Sequence, residues 1–332
     1  MPWLREISCI EDAKFFVKKD SISVVAPSDN LQTCPPDFGK ARIVPRWWLS
    51  FAVRRRRSRA KQIISDFRSK SSFSPRKISI VILSCRRLPQ LQRLVEGLSV
   101  FLEQIESYKN IEKILVDNGS GTELIEWAEQ SHFFDSIIAH GNNLGMASAL
   151  DDAFPRTNGE YILLLEEDFV VDYPKPFMQD SIDLFDEFPE IGIIRLKNKR
   201  NWGKSFRIIA PIRKTGSGVE FWTWLPSLNG KLNVWTAGSV LFRKASFIST
   251  GPIKAGLNRD RSHRLHQGAL YEEVYGKKYN KDWLAAKMKD CYPFVQPDDH
   301  PESPGWGENI VSASESPDGY ERPIGSKGRP ER

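Results

Sequence analysis

Three consecutive carboxylates, Glu166, Glu167 and Asp168, follow directly on the apolar run "YILLL". Such a run is typical of a buried strand, and ionised carboxylates at its end repel one another and are costly to desolvate. We therefore expect a positive partner beside them. Because Mg²⁺ and Mn²⁺ prefer carboxylate oxygens as ligands, the triplet indicates a divalent-cation site. The alternative is that the triplet is a solvated loop.

The segment around this triplet alternates between strand and helix patterns. The predicted strands are "ISIVILS", "IEKILVDN", "SIIAHG", "GEYILLL" and "IGIIRL", and the predicted helices are 88–105, "TELIEWAEQ", "NLGMASALDDAF" and a stretch near 175–187. After residue 200 the pattern loosens, and "AGSVLF" is a further predicted strand. The alternation predicts an α/β fold with a mostly parallel central sheet and helices on both faces.

Polar side chains cluster where these strands end. In parallel sheets, ligands bind beyond the carboxyl ends of the strands. Those ends carry Ser84 and Arg86 after the first strand, Asp117 and Asn118 after the second, and 166–168 after the fourth. The sequence has no GxGxxG after the first strand and no GxxxxGK[ST], which disfavours a dinucleotide dehydrogenase or a P-loop NTPase. Carboxylates and amides suit the base and ribose of a nucleotide, and a hard divalent cation.

Four stretches carry a resemblance to a known family. In order, "ISIVILSCRRLPQLQRLVEGL", "KILVDNGSG", "NNLGMASALDDAF" and "GEYILLLEEDFVVD" resemble the nucleotide-sugar half of GT-A glycosyltransferases, most closely the family-two type. The stretch "LEEDF" also resembles the "LEDDL" of Golgi N-acetylglucosaminyltransferases. The likeness covers residues 77–200 well and 235–310 weakly. It implies the GT-A (nucleotide-diphospho-sugar transferase) fold.

The resemblance implies roles for the residues at the strand ends. Ser84 and Arg86 would line the nucleoside pocket, and Asp117 would hydrogen-bond the base. Asn118 and Asn143 would lie near the nucleotide.

The acidic triplet matches the DxD-type motif of the family. Asp168 takes the place of its last acid, the metal ligand. Glu166 and Glu167 would assist, through water or the hydroxyls of the donor, and Glu167 is a second candidate ligand. The usual first Asp of the motif is Glu here. This departure leaves the metal geometry open.

An inverting enzyme of this class needs a general base to deprotonate the acceptor hydroxyl. The stretch "NKDWLAAKMK", with a helix predicted over "KDWLAAKMK", resembles the family's segment for this residue and makes Asp282 the first choice. Glu272 and Glu273 in "LYEEVYG" are the reserve. The alternatives are that Asp282 only caps a helix and that the two glutamates lie on a solvated face.

His300 in "PDDHPESPGWG" matches a late metal-binding histidine of many relatives. A neutral imidazole can complete a metal shell. The alternative is an ordinary surface histidine.

The N-terminal region looks different from the rest. Residues 1–74 lack long periodicity and are interpreted as an extension. Residues 75–312 form the predicted GT-A domain, with a nucleotide-sugar half over 75–200 and an acceptor half over 201–312, and 313–332 are a polar tail. Within the extension, "PRWWLSFAVRRRR" combines a tryptophan pair with four arginines, which favours contact of residues 45–61 with an anionic membrane surface. An RNA-binding arm or a solvated linker are the alternatives.

Composition limits the remaining possibilities. The chain has 332 residues, 40% of them hydrophobic and 27% charged, which suits a globular protein. No stretch reaches the ~18 apolar residues of a membrane span. The N-terminus has no apolar signal core, and the four cysteines form no CxxC pair. We therefore expect free thiols and a cytoplasmic protein, peripheral at most to a membrane.

The net charge of +6 comes from one segment. Residues 38–65 hold nine Lys and Arg and no acid, so the other 39 basic residues face 42 acidic ones. A nucleic-acid-binding protein is more often basic over a whole face, and we expect no nucleic-acid partner.

Together these features predict a glycosyltransferase dependent on Mn²⁺ or Mg²⁺. It would move a sugar from a UDP-, GDP- or dTDP-sugar to a glycan or lipid-linked saccharide acceptor, as in polysaccharide biosynthesis, and the resemblance implies inversion at the anomeric carbon. Two alternatives stay open. One is a nucleotidyltransferase, which would usually show a Gly-rich phosphate loop, whereas "LSCRRLPQ" has no glycine. The other is a GT-A-like binding module without catalysis.

Overall fold

A computed structural model gives the structure of the chain. It describes residues 6–8, 14–18, 21–25, 42–43, 46–70, 74–104, 110–172, 177–196, 208–209, 212–225, 235, 238–253, 274–289, 291 and 293–295.

The elements alternate between strands and helices along most of the chain. In order they are β1 Glu6–Ser8, β2 Lys14–Lys18, β3 Ser21–Val25, β4 Arg42–Ile43, α1 Arg46–Lys70, β5 Ser74–Ser84, α2 Leu88–Gln104, β6 Ile111–Asn118, α3 Thr122–Gln130, β7 Ser136–His140, α4 Met146–Arg156, β8 Gly159–Glu166, β9 Val170–Val171, α5 Met178–Glu187, β10 Ile191–Arg195, β11 Ile208–Ile209, β12 Arg213–Lys214, β13 Glu220–Leu225, β14 Val240–Arg243, α6 Lys244–Thr250, β15 Leu284–Met288 and β16 Phe294–Val295.

Eleven of the strands in the described ranges build one mixed sheet. Its order is β4-β11-β13-β15-β10-β14-β8-β5-β6-β7, and β12 pairs with β13 at the side. Strands β5, β6, β7 and β8 run parallel to one another. Strand β14 is antiparallel to both β8 and β10, so β10 and its parallel neighbour β15 point the same way as β8. The prediction of an α/β fold with a mostly parallel central sheet is confirmed.

Helices cover both faces of this sheet. Helices α2, α3 and α5 pack their apolar side chains on one face, with Leu94 and Ile182 among the buried residues there. Helices α1, α4 and α6 pack on the other face, where Leu150 and Phe247 are buried. The two layers exclude water from the strands, which is why residues 78–83 of β5 and 161–165 of β8 are mostly apolar.

Helix α1 lies within residues 1–74, which the sequence analysis interpreted as an extension. It is a helix of 25 residues, rich in the strong helix formers Arg, Lys, Gln and Ala. Among its described side chains, from Val53 onward, a narrow stripe with Ala60 and Ile64 is buried in the core, so the sequence shows little periodicity. Ion pairs add to this contact: Arg57 with Glu190 at 3.7 Å, and Arg68 with Glu160 at 2.6 Å.

The helix predicted over "KDWLAAKMK" is wrong. The stretch forms β15, which lies between β10 and β13 in the interior of the sheet and is buried along its whole length. A strand buried on both faces has no alternation, and its alanines and lysine favour a helix locally. A helical segment over 274–279 comes just before it.

Two further observations concern membrane-spanning helices and the cysteines. Among the described residues, none of the helices combines the length and the apolar character that crossing a membrane requires. Cys85 and Cys291 are free thiols, as predicted, whereas Cys9 and Cys34 lie outside the described residues.

Candidate functional site

The carboxyl ends of β5, β6 and β8 meet at one edge of the sheet. Ser84 is level with Asp117, and Leu83 is level with Glu166. Because neighbouring strands lie about 4.8 Å apart, the polar side chains that end these strands share one small area. The structure thus brings the predicted donor-binding residues together. Ser84, Asp117, Asn118 and Glu167 are all buried there.

Asp117 organises the turn that follows β6. Its carboxylate accepts the backbone N–H of Ser120 at 3.1 Å and that of Gly119 at 3.3 Å. The backbone N–H of Arg86 donates to Ser120 Oγ at 2.7 Å, and Arg86 Nε–H donates to the Gly119 carbonyl at 3.2 Å. A carboxylate has about four acceptor positions, so Asp117 retains acceptor capacity for a ligand.

Gly119 allows this turn to lie against the loop before α4. Its φ is +83°, and a Cβ at this position would be 2.6 Å from the backbone of Asn142 and Asn143. Only glycine satisfies both the left-handed conformation and the close approach. The β6 turn and the β7–α4 loop are therefore in direct contact.

Hydrogen bonds of two asparagines hold the β6 turn and the β7–α4 loop together. Asn118 Nδ2–H donates to Asn143 Oδ1 at 2.8 Å, and Asn118 Oδ1 accepts the backbone N–H of Leu144 at 2.9 Å. Asn143 Oδ1 also accepts the backbone N–H of Gly145. Both amides thus position loop backbone, a function that their spacing in the sequence did not indicate.

Cys85 lies beside these hydrogen-bonded asparagines. Its thiol donates to the Asn118 carbonyl at 3.3 Å. Burial, with the charge of Glu167 as a further cause, raises the pKa of Cys85 to about 11. The thiol is protonated at neutral pH, so it is not a nucleophile in this site.

The acidic triplet forms a tight turn at the end of β8. The Phe169 N–H donates to the Glu166 carbonyl at 3.2 Å, and the Glu167 N–H donates to the Leu83 carbonyl at 3.1 Å. The side chains of Glu167 and Asp168 are only 9% and 14% exposed. Desolvation, followed by the neighbouring charge of Asp168, raises the pKa of Glu167 to about 8. The turn therefore holds the carboxylates of Glu167 and Asp168 close to each other, with little exposure to solvent.

Arg87 is the positive partner that the sequence had led us to expect, and its identity was missed. Its Nη1 lies 3.4 Å from Asp168 Oδ2, and its Nε lies 3.6 Å from Glu167 Oε1. Arg87 partly offsets the effect of burial on the pKa of Glu167. The sequence shows a second arginine beside Arg86 at this strand end, but it does not show which of the two faces the carboxylates.

No preformed metal cage exists within the part of the chain that the structure describes, where no three His, Cys, Asp or Glu side chains come together for that purpose. Glu167 and Asp168 offer adjacent carboxylate oxygens, which is the donor chemistry that Mg²⁺ and Mn²⁺ prefer. His300, the third predicted ligand, lies outside the described residues.

The short ladder of β9 and β16 brings the chain that precedes His300 close to the acidic turn. Val295 pairs with Val170, which comes two residues after Asp168, and the Asp172 N–H donates to the Pro293 carbonyl at 3.1 Å. The chain therefore returns to the acidic turn at Val295, five residues before His300.

Asp282, the first-choice base, is not brought to this edge. It precedes β15 at the amino ends of the parallel strands, where the Leu284 N–H donates to the Glu190 carbonyl. Its carboxylate lies 2.5 Å from Arg59 of α1. At about 3.3 Å per residue, the eight residues of β8 separate the two edges of the sheet by roughly 25 Å. The choice of Asp282 is corrected accordingly, and the reserve residues Glu272 and Glu273 lie outside the described residues.

Comparisons with solved structures find similar but distant folds. S. aureus TarS is 14% identical over 66% of this chain and 36% of its own, with a TM-score of 0.46. S. aureus TarS 1-349 in complex with UDP-GlcNAc is 15% identical over 71% and 62%, with a TM-score of 0.44. Mannosyltransferase PcManGT from Pyrobaculum calidifontis, in complex with GDP-Man and Mn²⁺, is 16% identical over 74% and 65%, with a TM-score of 0.42.

The chain thus spans about a third of TarS and less than two thirds of the other two chains. No curated protein matches the sequence significantly. The predicted likeness of "LEEDF" to Golgi N-acetylglucosaminyltransferases is not shown by any of these comparisons.

A family model gives the specific match. Residues 79–242 match the model described as Glycosyl transferase family 2. This range begins within β5 and ends within β14, so it contains the three strand ends, the acidic turn and Arg87. Residues 79–242 therefore resemble family 2 glycosyltransferases, and the α/β fold is of the GT-A type.

Proposed function

We propose that the protein is a metal-dependent glycosyltransferase that takes its sugar from a nucleotide-sugar donor. The observation that carries this proposal is the pair of largely buried carboxylates, Glu167 and Asp168, beside the Asp117 turn in the region that matches family 2. The donor is a UDP-, GDP- or dTDP-sugar, and the acceptor is a glycan or a lipid-linked saccharide.

The nucleoside and the diphosphate of the donor lie at different parts of this edge. The nucleoside lies against the β5 and β6 ends, where Asp117 accepts from the base and Arg86 covers the turn. The buried Ser84 Oγ has no hydrogen-bond partner among the described residues and is available to the ribose. Asn118 and Asn143 hold the loops in place, and Glu166 faces the hydroxyls of the sugar.

The diphosphate lies toward the acidic turn. The residues present fit a divalent cation that shares its ligands with a diphosphate, because two protein carboxylates then suffice without a full cage. Asp168 and Glu167 would hold Mn²⁺ or Mg²⁺. When bound, the cation neutralises the charge that develops on the departing diphosphate.

His300 is the proposed third ligand. The β9–β16 ladder supports this proposal, because His300 comes only five residues after Val295. An extended chain of that length reaches up to about 17 Å, and Val295 starts beside Val170, close to Asp168.

Glu273 is the proposed general base. The ring of Tyr275, two residues later, lies 4.8 Å from that of Trp235. Three residues after Trp235, a Cβ at Gly238 would be 3.5 Å from Glu166 Oε1. The segment directly after Glu273 thus contacts the stretch that leads to Gly238 and Glu166, which supports Glu273 over Asp282.

In the proposed reaction, Glu273 takes the proton of the acceptor hydroxyl. The acceptor oxygen bonds to the anomeric carbon from the face opposite the diphosphate, and the bond from that carbon to the diphosphate oxygen breaks. The products are an inverted glycoside and a nucleoside diphosphate. Burial of the acidic turn excludes water that would otherwise compete with the acceptor.

A matched pair of variants tests this assignment. We expect Glu273→Gln to lower kcat by about a hundredfold or more with little change in donor affinity, because the amide cannot accept the proton. Asp282→Asn is expected to keep its turnover, since it lies at the opposite edge. The measurement is release of nucleoside diphosphate from UDP-, GDP- and dTDP-sugars with a panel of saccharide acceptors and Mn²⁺. Loss of turnover in Asp282→Asn alone would contradict the assignment.

Contact of residues 45–61 with an anionic membrane is a separate proposal. Two of the four arginines are engaged with the protein, since Arg56 donates to the Asn280 carbonyl at 2.7 Å and Arg57 donates to the Glu187 carbonyl at 2.7 Å. Arg54 and Arg55 are exposed on α1 and would make the contact. Such a contact suits a lipid-linked acceptor.

A further inference from the structure

Arg87 occupies the position where a metal and a diphosphate would act. It is the last residue before α2, and both of its ion pairs run to the acidic turn, to Asp168 at 3.4 Å and to Glu167 at 3.6 Å. Its side chain is 30% exposed, so a ligand that enters from solvent can reach the guanidinium.

The two ion pairs of Arg87 are long enough that another ligand can replace them. Both distances are long compared with the charge-assisted hydrogen bonds of about 2.7–2.9 Å that hold arginine firmly. Arg68 shows the firm kind in this protein, because its Nε and Nη2 lie 2.9 and 2.6 Å from a single oxygen of Glu160. Arg87 therefore neutralises the turn without being fixed to it.

A divalent cation at Glu167 and Asp168 changes the surroundings of Arg87. The guanidinium then faces a like charge where it had faced two carboxylates, and it is repelled. A diphosphate arriving with the cation supplies new acceptor oxygens, which arginine binds with a matching planar fork. The exchange costs little when both arrive together and more when the cation arrives alone.

We propose that Arg87 is the resting counter-ion of Glu167 and Asp168 and turns to the donor's diphosphate when a divalent cation takes its place. This inference rests on the proposed function and adds a positioning residue to it. Arg87 then links the two ligands: it opposes binding of the cation alone and favours binding of the cation with a nucleoside diphosphate. By linkage, each ligand must strengthen the binding of the other.

The test measures binding and not turnover. Affinities for Mn²⁺ alone, and for Mn²⁺ with UDP, GDP or dTDP, are measured by calorimetry and by electron paramagnetic resonance of free Mn²⁺, with correction for the metal–nucleotide complex in solution. The variants are Arg87→Met and Arg87→Lys. Lys70→Met at the exposed end of α1 makes the same change in net charge away from the site and is the matched control.

For Arg87→Met we expect Mn²⁺ alone to bind about fivefold tighter than to the wild type, and the Mn²⁺–nucleotide pair to bind about tenfold weaker. Arg87→Lys keeps the charge but lacks the planar fork of donors. Its two affinities should therefore lie between those of the wild type and those of Arg87→Met. Lys70→Met should match the wild type. Unfolding midpoints of the metal-free variants establish that each one folds.

The outcomes separate this inference from the proposed function. If the wild type binds none of the Mn²⁺–nucleotide pairs, the proposed function fails and the inference fails with it. If the wild type binds one of them and Arg87→Met binds both Mn²⁺ and the pair as the wild type does, the proposed function stands and the role of Arg87 is refuted.

Discussion

Asp168→Asn is expected to lower the transfer rate by about a thousandfold or more while the protein stays folded. The amide keeps the size of the side chain but loses the charge that holds the divalent cation and balances Arg87 at 3.4 Å. Loss of a metal that stabilises the leaving group by several kcal/mol corresponds to a rate effect of this size. Release of nucleoside diphosphate at saturating donor and Mn²⁺ measures it.

The control for this variant is Asp66→Asn on the exposed face of α1, which makes the same chemical change away from the edge. The unfolding midpoint of metal-free Asp168→Asn should differ little from that of the wild type, because Asp168 is at a turn and not in the core. Turnover at the wild-type rate in Asp168→Asn would remove the acidic turn from the mechanism. Donor binding without turnover in the wild type would support the alternative of a binding module.

A chain that begins at residue 75 is expected to be less stable than one that begins at residue 46 by several kcal/mol. Removal of α1 uncovers the core at Ala60 and Ile64. It also takes Arg57 from Glu190 and Arg68 from Glu160, and both of these carboxylates are buried. Leaving one buried charge without its partner costs about 3–5 kcal/mol. Such a loss is a large fraction of the ~5–15 kcal/mol by which domains are stable.

Urea unfolding of the two chains measures this difference. Arg68→Gln in the full chain provides a second measurement if the shorter chain cannot be purified. It leaves Glu160 with the backbone N–H of Arg76 but without the guanidinium. We expect it to lower the free energy of unfolding by about 1–3 kcal/mol. Equal stability of the two chains would show that residues 46–70 are an extension, as the sequence had indicated.

The first half of the domain was predictable because its elements obey simple patterns. Strands such as β5 and β8 contain mostly apolar runs, and α2 has apolar residues at helical spacing. In a parallel sheet the ends of such strands fall at one edge, so the grouping of Ser84, Asp117 and Glu166 followed from chain order alone.

The parts that could not be predicted depend on contacts distant in sequence. Strand β15 contains alanines and a lysine and reads as a helix, and only its place between β10 and β13 makes it a strand. Helix α1 is held by a few buried positions and by ion pairs, which leave no periodic signal. The error over Asp282 follows from the error over β15, because a residue before a strand of this direction lies at the amino edge.

Arg87 illustrates a different limit. Its charge was visible, but nothing in the sequence says which of two adjacent arginines faces the carboxylates. Arg86 adopts φ +59° and donates to the Gly119 carbonyl, which leaves Arg87 to contact the acidic turn. The choice is made by backbone conformation, and that is fixed only in the folded protein.

The acidic edge is expected to bind a nucleotide-sugar together with a divalent cation. A thermal-shift screen of the purified chain with UDP-, GDP-, dTDP- and CDP-sugars, each with Mn²⁺, Mg²⁺ or EDTA, tests it most directly, because a ligand that binds only the native state raises the unfolding midpoint. We expect a rise with the sugars of one nucleotide, and this rise should disappear in EDTA and in Asp168→Asn. No rise with any donor in the presence of either metal would contradict it.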